Sequence, residues 1–375
     1  MSRLGPAAIA FLGLAGLLIN AVTLGPALRN TLGGVTDFMD LYAGGKLAFT
    51  GDLYVPDRVL ETEARTEGWS SPTRLFMRLP CFALFFWPLA QLPYPAASAL
   101  WEILCVFGLI AFVAAWPANR RWQAALACCW SLPVWMTVAE GQDIGFLLLW
   151  IALALMLVRR DRPLTAGVVA SLCLAKFQLF FMIPVWICAR KRWRFASGLL
   201  AGCIALAALS FAIGGWNWPL RYYALLREPA NNPYREVMPN LHALLAGLPH
   251  ANAFAIAGAG AVAVAVWVAS RGWRREWGLA AALAGGIVVA PHAFMADCAL
   301  LIPAALLLIK SATDRWTAYL GLYLLTPIPW VLLVTGNGFT TRLAICAFVL
   351  SLGWQGWRDR APKAASARAH SSVSA

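Results

Sequence analysis

Charge is scarce in this chain. Of its 375 residues, 13% are Asp, Glu, Lys or Arg, while 61% are hydrophobic. That balance excludes an ordinary soluble globular domain, and the apolar runs recur along the whole length. Acidic residues are scarcer still, 17 against 30 Lys and Arg, for a net charge of +13. In a soluble protein that excess would point to nucleic acid. Here the basic residues form short clusters between apolar runs, as the positive-inside rule expects for cytoplasmic loops, so nucleic-acid binding is not expected. The clusters are Arg120-Arg121, Arg159-Arg160, Arg190-Lys191-Arg192, Arg271 with Arg274-Arg275, Lys310 with Arg315, and Arg358 with Arg360. The nine Cys include no CxxC and no Cys/His spacing suited to a metal, so they read as small buried hydrophobes. No composition shift marks a second domain. Residues 1–357 read as a single polytopic membrane domain of class all-α, and the Ala/Ser/Arg-rich residues 358–375 as a disordered cytoplasmic tail.

Placing each basic cluster in the cytoplasm sets the path. A first uncleaved span over 6–28 leads to a large outer loop, 29–78, too polar to insert and expected to carry one or two surface helices. The apolar run 79–92, with Pro80 and Pro88, is too short at about 1.5 Å per residue to cross a core of about 30 Å, and so reads as re-entrant. Spans follow over 94–116, 123–139 and 144–158. The run 163–189 carries basic clusters at both ends, which predicts two short helices meeting near Lys176-Phe177-Gln178. By the same argument 278–309 breaks at Pro291-His292, where proline removes a helical hydrogen bond. With 195–214, a second outer loop over 215–250, and spans at 251–270, 317–335 and 343–357, about twelve crossings are expected with both termini inside. Broken helices in a membrane line a buried or watered cavity.

On this topology the unusual polar residues gather on the outer side: Asp37, Asp40, Glu140, Gln142, Asp143, Lys176, Gln178, Asn240, His242, His292 and Asp297. Seven of the 17 acids lie between residues 37 and 67, directly after the first span. Ionisable groups at membrane depth are costly and usually face a cavity, so the collection argues for one outward site. Each residue has a plainer reading as well. Asp37 and Asp40 could cap a surface helix, Gln142 could satisfy turn backbone, and Lys176 could snorkel to the interface. His292 could cap carbonyls freed by Pro291, Asp297 could start the next short helix, and Glu102 could pair with a polar neighbour inside its span. Trp216 and Trp218 are the exposed-loop aromatics that could stack on a sugar.

Taken in order, these residues resemble glycosyltransferase family 87, the polyprenol-phosphate-mannose-dependent mannosyltransferases of the GT-C superfamily. The matching pieces are Asp37-Phe38 with Tyr42, Gly51-Asp52-Leu53-Tyr54, Arg78-Leu79-Pro80 with Pro88-Leu89, Trp101, Gly141-Gln142, Lys176 with Gln178, Asn240, and Pro291-His292 with Asp297. Arg78-Leu79 stand where Tyr-Pro is usual, and His242 where Ser or Thr often follows Asn.

The resemblance implies a multi-pass enzyme of the cytoplasmic membrane. It would move a hexosyl unit, mannose first, from a polyprenyl-phosphate sugar to a lipid or glycan acceptor on the extracytoplasmic side. Asp37 is then the base, Lys176 and His292 hold the donor phosphate, and Asp40, Tyr42, Gln142, Gln178, Asn240, His242 and Asp297 bind substrate. It implies a metal-independent site with no cofactor, although a divalent cation held by Asp37 with Asp40 or Asp297 stays open. Three rival readings stand beside it: a pentosyl (arabinofuranosyl) transferase of the same fold, a lipid or solute transporter, and a non-catalytic assembly subunit.

Overall fold

A computed structural model describes residues 5–25, 29, 36–66, 75–227, 235–309 and 314–359. The tail from residue 360, Lys310, and the stretches 30–35, 67–74 and 228–234 of the two loops expected on the outer side lie outside the described residues. The described residues form helices joined by turns, so the protein is an all-helical polytopic membrane protein. Among them six helical stretches are long and apolar enough to cross a bilayer: Pro6–Thr23, Tyr94–Ala115, Pro163–Phe180, Trp193–Gly214, Ala251–Arg271 and Ile328–Arg358. The other segments read as crossings from the sequence fold as shorter or broken helices.

The chain divides into two compact units, Met1–Phe177 with Arg194–Tyr234, and Gln178–Trp193 with Arg235–Ala375. In the first unit the described residues of the acid-rich loop include two helices, Phe38–Lys46 and Pro56–Ala64. The Phe38–Lys46 helix does not lie on a surface: seven of its nine residues are buried. Two glycines explain how. A Cβ on Gly45 would stand 2.6 Å from the Phe86 carbonyl oxygen, and one on Gly44 would stand 2.2 Å from the Phe76 ring, so the helix backbone seats directly on its neighbours. Phe38 is fully buried, stacked on Trp101 at 5.5 Å and on Tyr94 at 6.2 Å between ring centroids. Aromatic pairs of this kind add about 0.5–1.5 kcal/mol beyond their buried area. The apolar run 79–92 folds as the seven-residue helix Pro80–Phe86 and a turn of 3-10 helix at Leu89–Gln91, in keeping with a segment too short to cross. The expected span 123–139 is instead two helices, Arg121–Trp130 and Leu132–Ala139, parted at Ser131 two residues before Pro133. Pro133 lacks the N–H that an unbroken helix would need there.

In the second unit, Arg275–Val289 ends just ahead of Pro291, and the chain resumes as 3-10 helix at Ala296–Leu300 and α-helix at Leu301–Leu308, the predicted break. The expected span 317–335 is broken too, into Arg315–Leu324 and Ile328–Leu332, because Pro327 and Pro329 interrupt it. The last helix, Gly338–Arg358, is longer than the 343–357 read from sequence.

Candidate functional site

The turn Glu140-Gly141-Gln142 organises the site in the first unit. Gly141 takes φ +64°, a left-handed conformation that L side chains resist. A Cβ there would also stand 3.1 Å from Glu102 Oε1 and 3.2 Å from Thr36 Oγ1. Trp101 Nε1 donates to the Gly141 carbonyl at 2.6 Å, and Gln142 N donates to the Thr137 carbonyl at 2.8 Å. Asp37 N donates to the Glu140 carbonyl at 2.8 Å, which docks the start of the outer-loop helix onto this turn.

With the backbones fixed, three side chains meet. Gln142 Nε2 donates to Asp37 Oδ2 at 2.5 Å, and Lys176 Nζ donates to Gln142 Oε1 at 2.6 Å. Lys176 is buried and sits where its 3-10 segment, Leu172–Phe180, leaves helical geometry at φ −133°, ψ 59°. The break is therefore at the lysine itself. A lone buried ammonium is expensive, and the Gln142 carbonyl is one of the groups that compensates it. Asp37 occupies the N-cap position of Phe38–Lys46 but makes no capping bond; the Phe38 N–H goes to Thr36 Oγ1 at 3.2 Å. The plain capping reading of Asp37 is thus replaced by a side chain facing Gln142.

A second charged group lies beside it. Arg78 grips Asp143 with two bonds, Nη2 to Oδ1 at 3.0 Å and Nε to Oδ2 at 3.3 Å, and both side chains are largely buried. Arg78 looked in the sequence like a departure from pattern; in the structure it is the partner of the acid that follows Gln142. The one sequence signal was an arginine just ahead of Leu79-Pro80, where the family pattern usually has Tyr. Asp40, half-buried, accepts from Leu41 N at 2.8 Å. Burial pushes its carboxyl from 3.8 to about 7, with Asp143 and Glu63 adding to the rise, while Arg78 and the Leu41 bond oppose it. Asp37 and Asp40 are thus three residues apart in chemically different settings. Tyr42 has its hydroxyl engaged, donating to the Leu92 carbonyl at 2.8 Å, with Lys46 over its ring. Glu102, which could have paired with a polar neighbour, keeps both carboxylate oxygens buried without a hydrogen bond.

The predicted residues Gln178, Asn240, His242, His292 and Asp297 belong to the second unit. Asn240 is fully used: Oδ1 accepts from Ala243 N at 3.0 Å, and Nδ2 donates to the Ala290 carbonyl at 2.9 Å. It caps one short helix and ties the broken backbone ahead of Pro291. Asp297 is buried and its Oδ2 accepts from Phe294 N at 2.8 Å, closing the turn that precedes its own 3-10 helix rather than capping it from outside. His292, half-buried, meets Phe294 edge to face at 4.8 Å. His242 is exposed and Gln178 half-buried. Trp218 packs on Phe211 and Tyr222, whereas Trp216 is 86% exposed. Among the described residues no three His, Cys, Asp or Glu converge as a metal site.

The site is thus a buried cation joined through one amide to a carboxylate, set among broken apolar helices. Residues 79–296, more than half of the chain, match the family model of glycosyltransferase family 87, and the protein belongs to that family. It is a glycosyltransferase held in a membrane. No curated protein and no solved structure matches the chain. Gln142, Asp143 and Lys176 fall inside the matched stretch, whereas Asp37 and Asp40 precede it. The bond from Gln142 joins Asp37 to the matched part.

Proposed function

We propose that the protein transfers a hexosyl unit, mannose being the first candidate, from a polyprenyl-phosphate sugar to a lipid or glycan acceptor, with inversion. The reaction takes place at the outer face of the cytoplasmic membrane and uses no metal. The observation that carries this reading is the Asp37–Gln142–Lys176 chain. Direct displacement at an anomeric carbon needs a base on the acceptor side and a cation on the leaving-group side. Here one amide separates the two.

Asp37 takes the proton of the acceptor hydroxyl as that oxygen attacks the anomeric carbon. The bond to the lipid phosphate breaks, and Lys176 stabilises the negative charge that collects there. Gln142 holds base and cation in register. Asp40 offers a polar contact to sugar hydroxyls, and Tyr42 is held beside it by its bond to the Leu92 carbonyl. Because attack and departure lie on opposite faces, a β-linked donor gives an α-linked product.

The test is purified protein incubated with a panel of polyprenyl-phosphate hexoses and pentoses, followed by mass spectrometry of lipids and glycans. Consumption of one hexose donor, dependent on acceptor and with inverted product, is the expected result. Preference for a pentose donor would replace the sugar assignment. Release of polyprenyl phosphate without acceptor, or no turnover of any donor, would overturn the reading.

A further inference from the structure

The second unit carries a cavity that the transfer reaction does not use. Its volume is about 560 Å³, and it is lined by Ala189, Arg190, Lys191, Arg192, Arg271 and Arg275. Five of the six are cations. They come from the ends of three helices: Ile183–Arg190 and the residues after it, Ala251–Arg271, and the start of Arg275–Val289.

The cavity is built rather than a chance crowding of loops. Arg190 Nη1 donates to the Gly272 carbonyl and Arg271 Nη1 donates to the Ala189 carbonyl, each at 3.4 Å. The two helix C-termini are thus tied crosswise by the arginines that end them, where cations are favoured. Lys191 caps its helix at φ +53°, in the left-handed region that glycine ordinarily fills at little cost. A lysine is kept at a position where its backbone is strained.

Among the described residues, positive charge dominates around Arg190. Arg192, Arg275 and Arg271 all press on Arg190, and Glu276 alone offsets them. None of the five forms a salt bridge among the described residues. Asp359, close in the fold, already accepts from Trp273 N at 2.8 Å.

The setting is a bilayer boundary. Ala251–Arg271 is one of the six spanning stretches and ends at the cavity. Trp273 is 74% exposed beside it, and the stacked pair Trp354 and Trp357 ends the last helix, each 54% exposed. Exposed tryptophan at the end of an apolar helix is the mark of the headgroup layer.

We propose that this cavity binds the phosphate-bearing headgroup of an anionic phospholipid, drawn from the leaflet that the basic clusters face. Basic pockets between helices at that level suit such headgroups. Arg190 and Arg271, held by their carbonyl bonds, shape the walls; the exposed Lys191 and Arg275 meet the phosphate. A soluble phosphoanion shares the chemistry but draws nothing from the Trp-marked boundary.

The full-length protein in neutral detergent is titrated with phosphatidylglycerol and with phosphatidylcholine, and lipid retention is read by native mass spectrometry. Wild type should retain one phosphatidylglycerol in preference to phosphatidylcholine. The double variant Lys191→Gln with Arg275→Gln should weaken that retention by roughly 30-fold, the loss expected for two basic residues at a headgroup. A control, Arg160→Gln with Arg162→Gln, removes the same charge from exposed residues elsewhere and should leave retention unchanged. Equal loss in the control would overturn the proposal, since net charge alone would then act. Equal retention of the two lipids, or no loss in the cavity variant when its melting profile matches wild type, would also overturn it. Inorganic pyrophosphate is the remaining arm: if it binds at these residues while phosphatidylglycerol does not, the lipid assignment fails.

Discussion

Both units contain an interrupted apolar segment, and the two interruptions are made differently. At Lys176 no proline stands in the segment; the backbone leaves helical geometry at the lysine, and its ammonium bonds to Gln142. After Val289 the helix stops ahead of Pro291, and the Ala290 carbonyl is taken by Asn240. The first break presents a charge, whereas the second is fastened through its backbone. Residues at the first should therefore govern turnover, and Asn240 at the second should govern stability.

The largest effect is expected at the carboxylate facing the first break. Asp37→Asn keeps the size of the side chain but cannot take a proton, so transfer should fall by about 10²–10⁴-fold while donor binding survives. Undiminished transfer in this variant would remove the base from the outer-loop helix. Lys176→Ala comes next. Loss of a charge-assisted contact costs about 1.5–3 kcal/mol, or roughly 10- to 150-fold in donor affinity and turnover. Normal donor binding would leave Lys176 a structural residue and dissolve the contrast between the breaks.

Asn240→Ala should act on the other side of the comparison. It strands the Ala290 carbonyl and the Ala243 N–H, costing about 1–3 kcal/mol of stability in thermal or denaturant melts. Turnover per folded molecule should stay close to wild type. Turnover lost with stability intact would move Asn240 into the substrate site.

Asp40→Asn should have the smallest effect on transfer, and its signature is in pH. The folded protein holds the Asp40 proton up to about pH 7, whereas an ordinary carboxyl releases it near 3.8. Across that window the folded state binds more protons than the unfolded, so this group's contribution to stability falls as pH rises. Asp40→Asn should flatten the decline in melting temperature between roughly pH 5 and 7. An unchanged slope would place the proton elsewhere.

Much of this organisation was legible in the sequence where a physical rule forced it. Basic clusters on both sides of 163–189 required a break, and Pro291 supplied one. Polar residues too costly to sit in lipid pointed to Asp37, Gln142 and Lys176 before any contact was known. Other features depended on tertiary partners. Arg78 looked like an irregularity because nothing near it in the chain reveals Asp143, 65 residues on. Asn240 was given to substrate by resemblance, and nothing near it in the chain reveals its bonds to a helix turn and to a carbonyl 50 residues away. The breaks at Ser131 and before Pro329 were signalled by prolines, but hydropathy summed over each run outweighed them.

Gln142 has one further consequence. A carboxylate only accepts and an ammonium only donates, so the two neighbours fix which way the amide points. Fixed so, the amide transmits polarisation between Lys176 and Asp37 but conducts no proton: it is an electrical link and a protonic insulator. In the proposed transfer, the proton that Asp37 gains cannot drain through Gln142 to the lysine. It must leave by another route, and each new acceptor has to wait for that discharge.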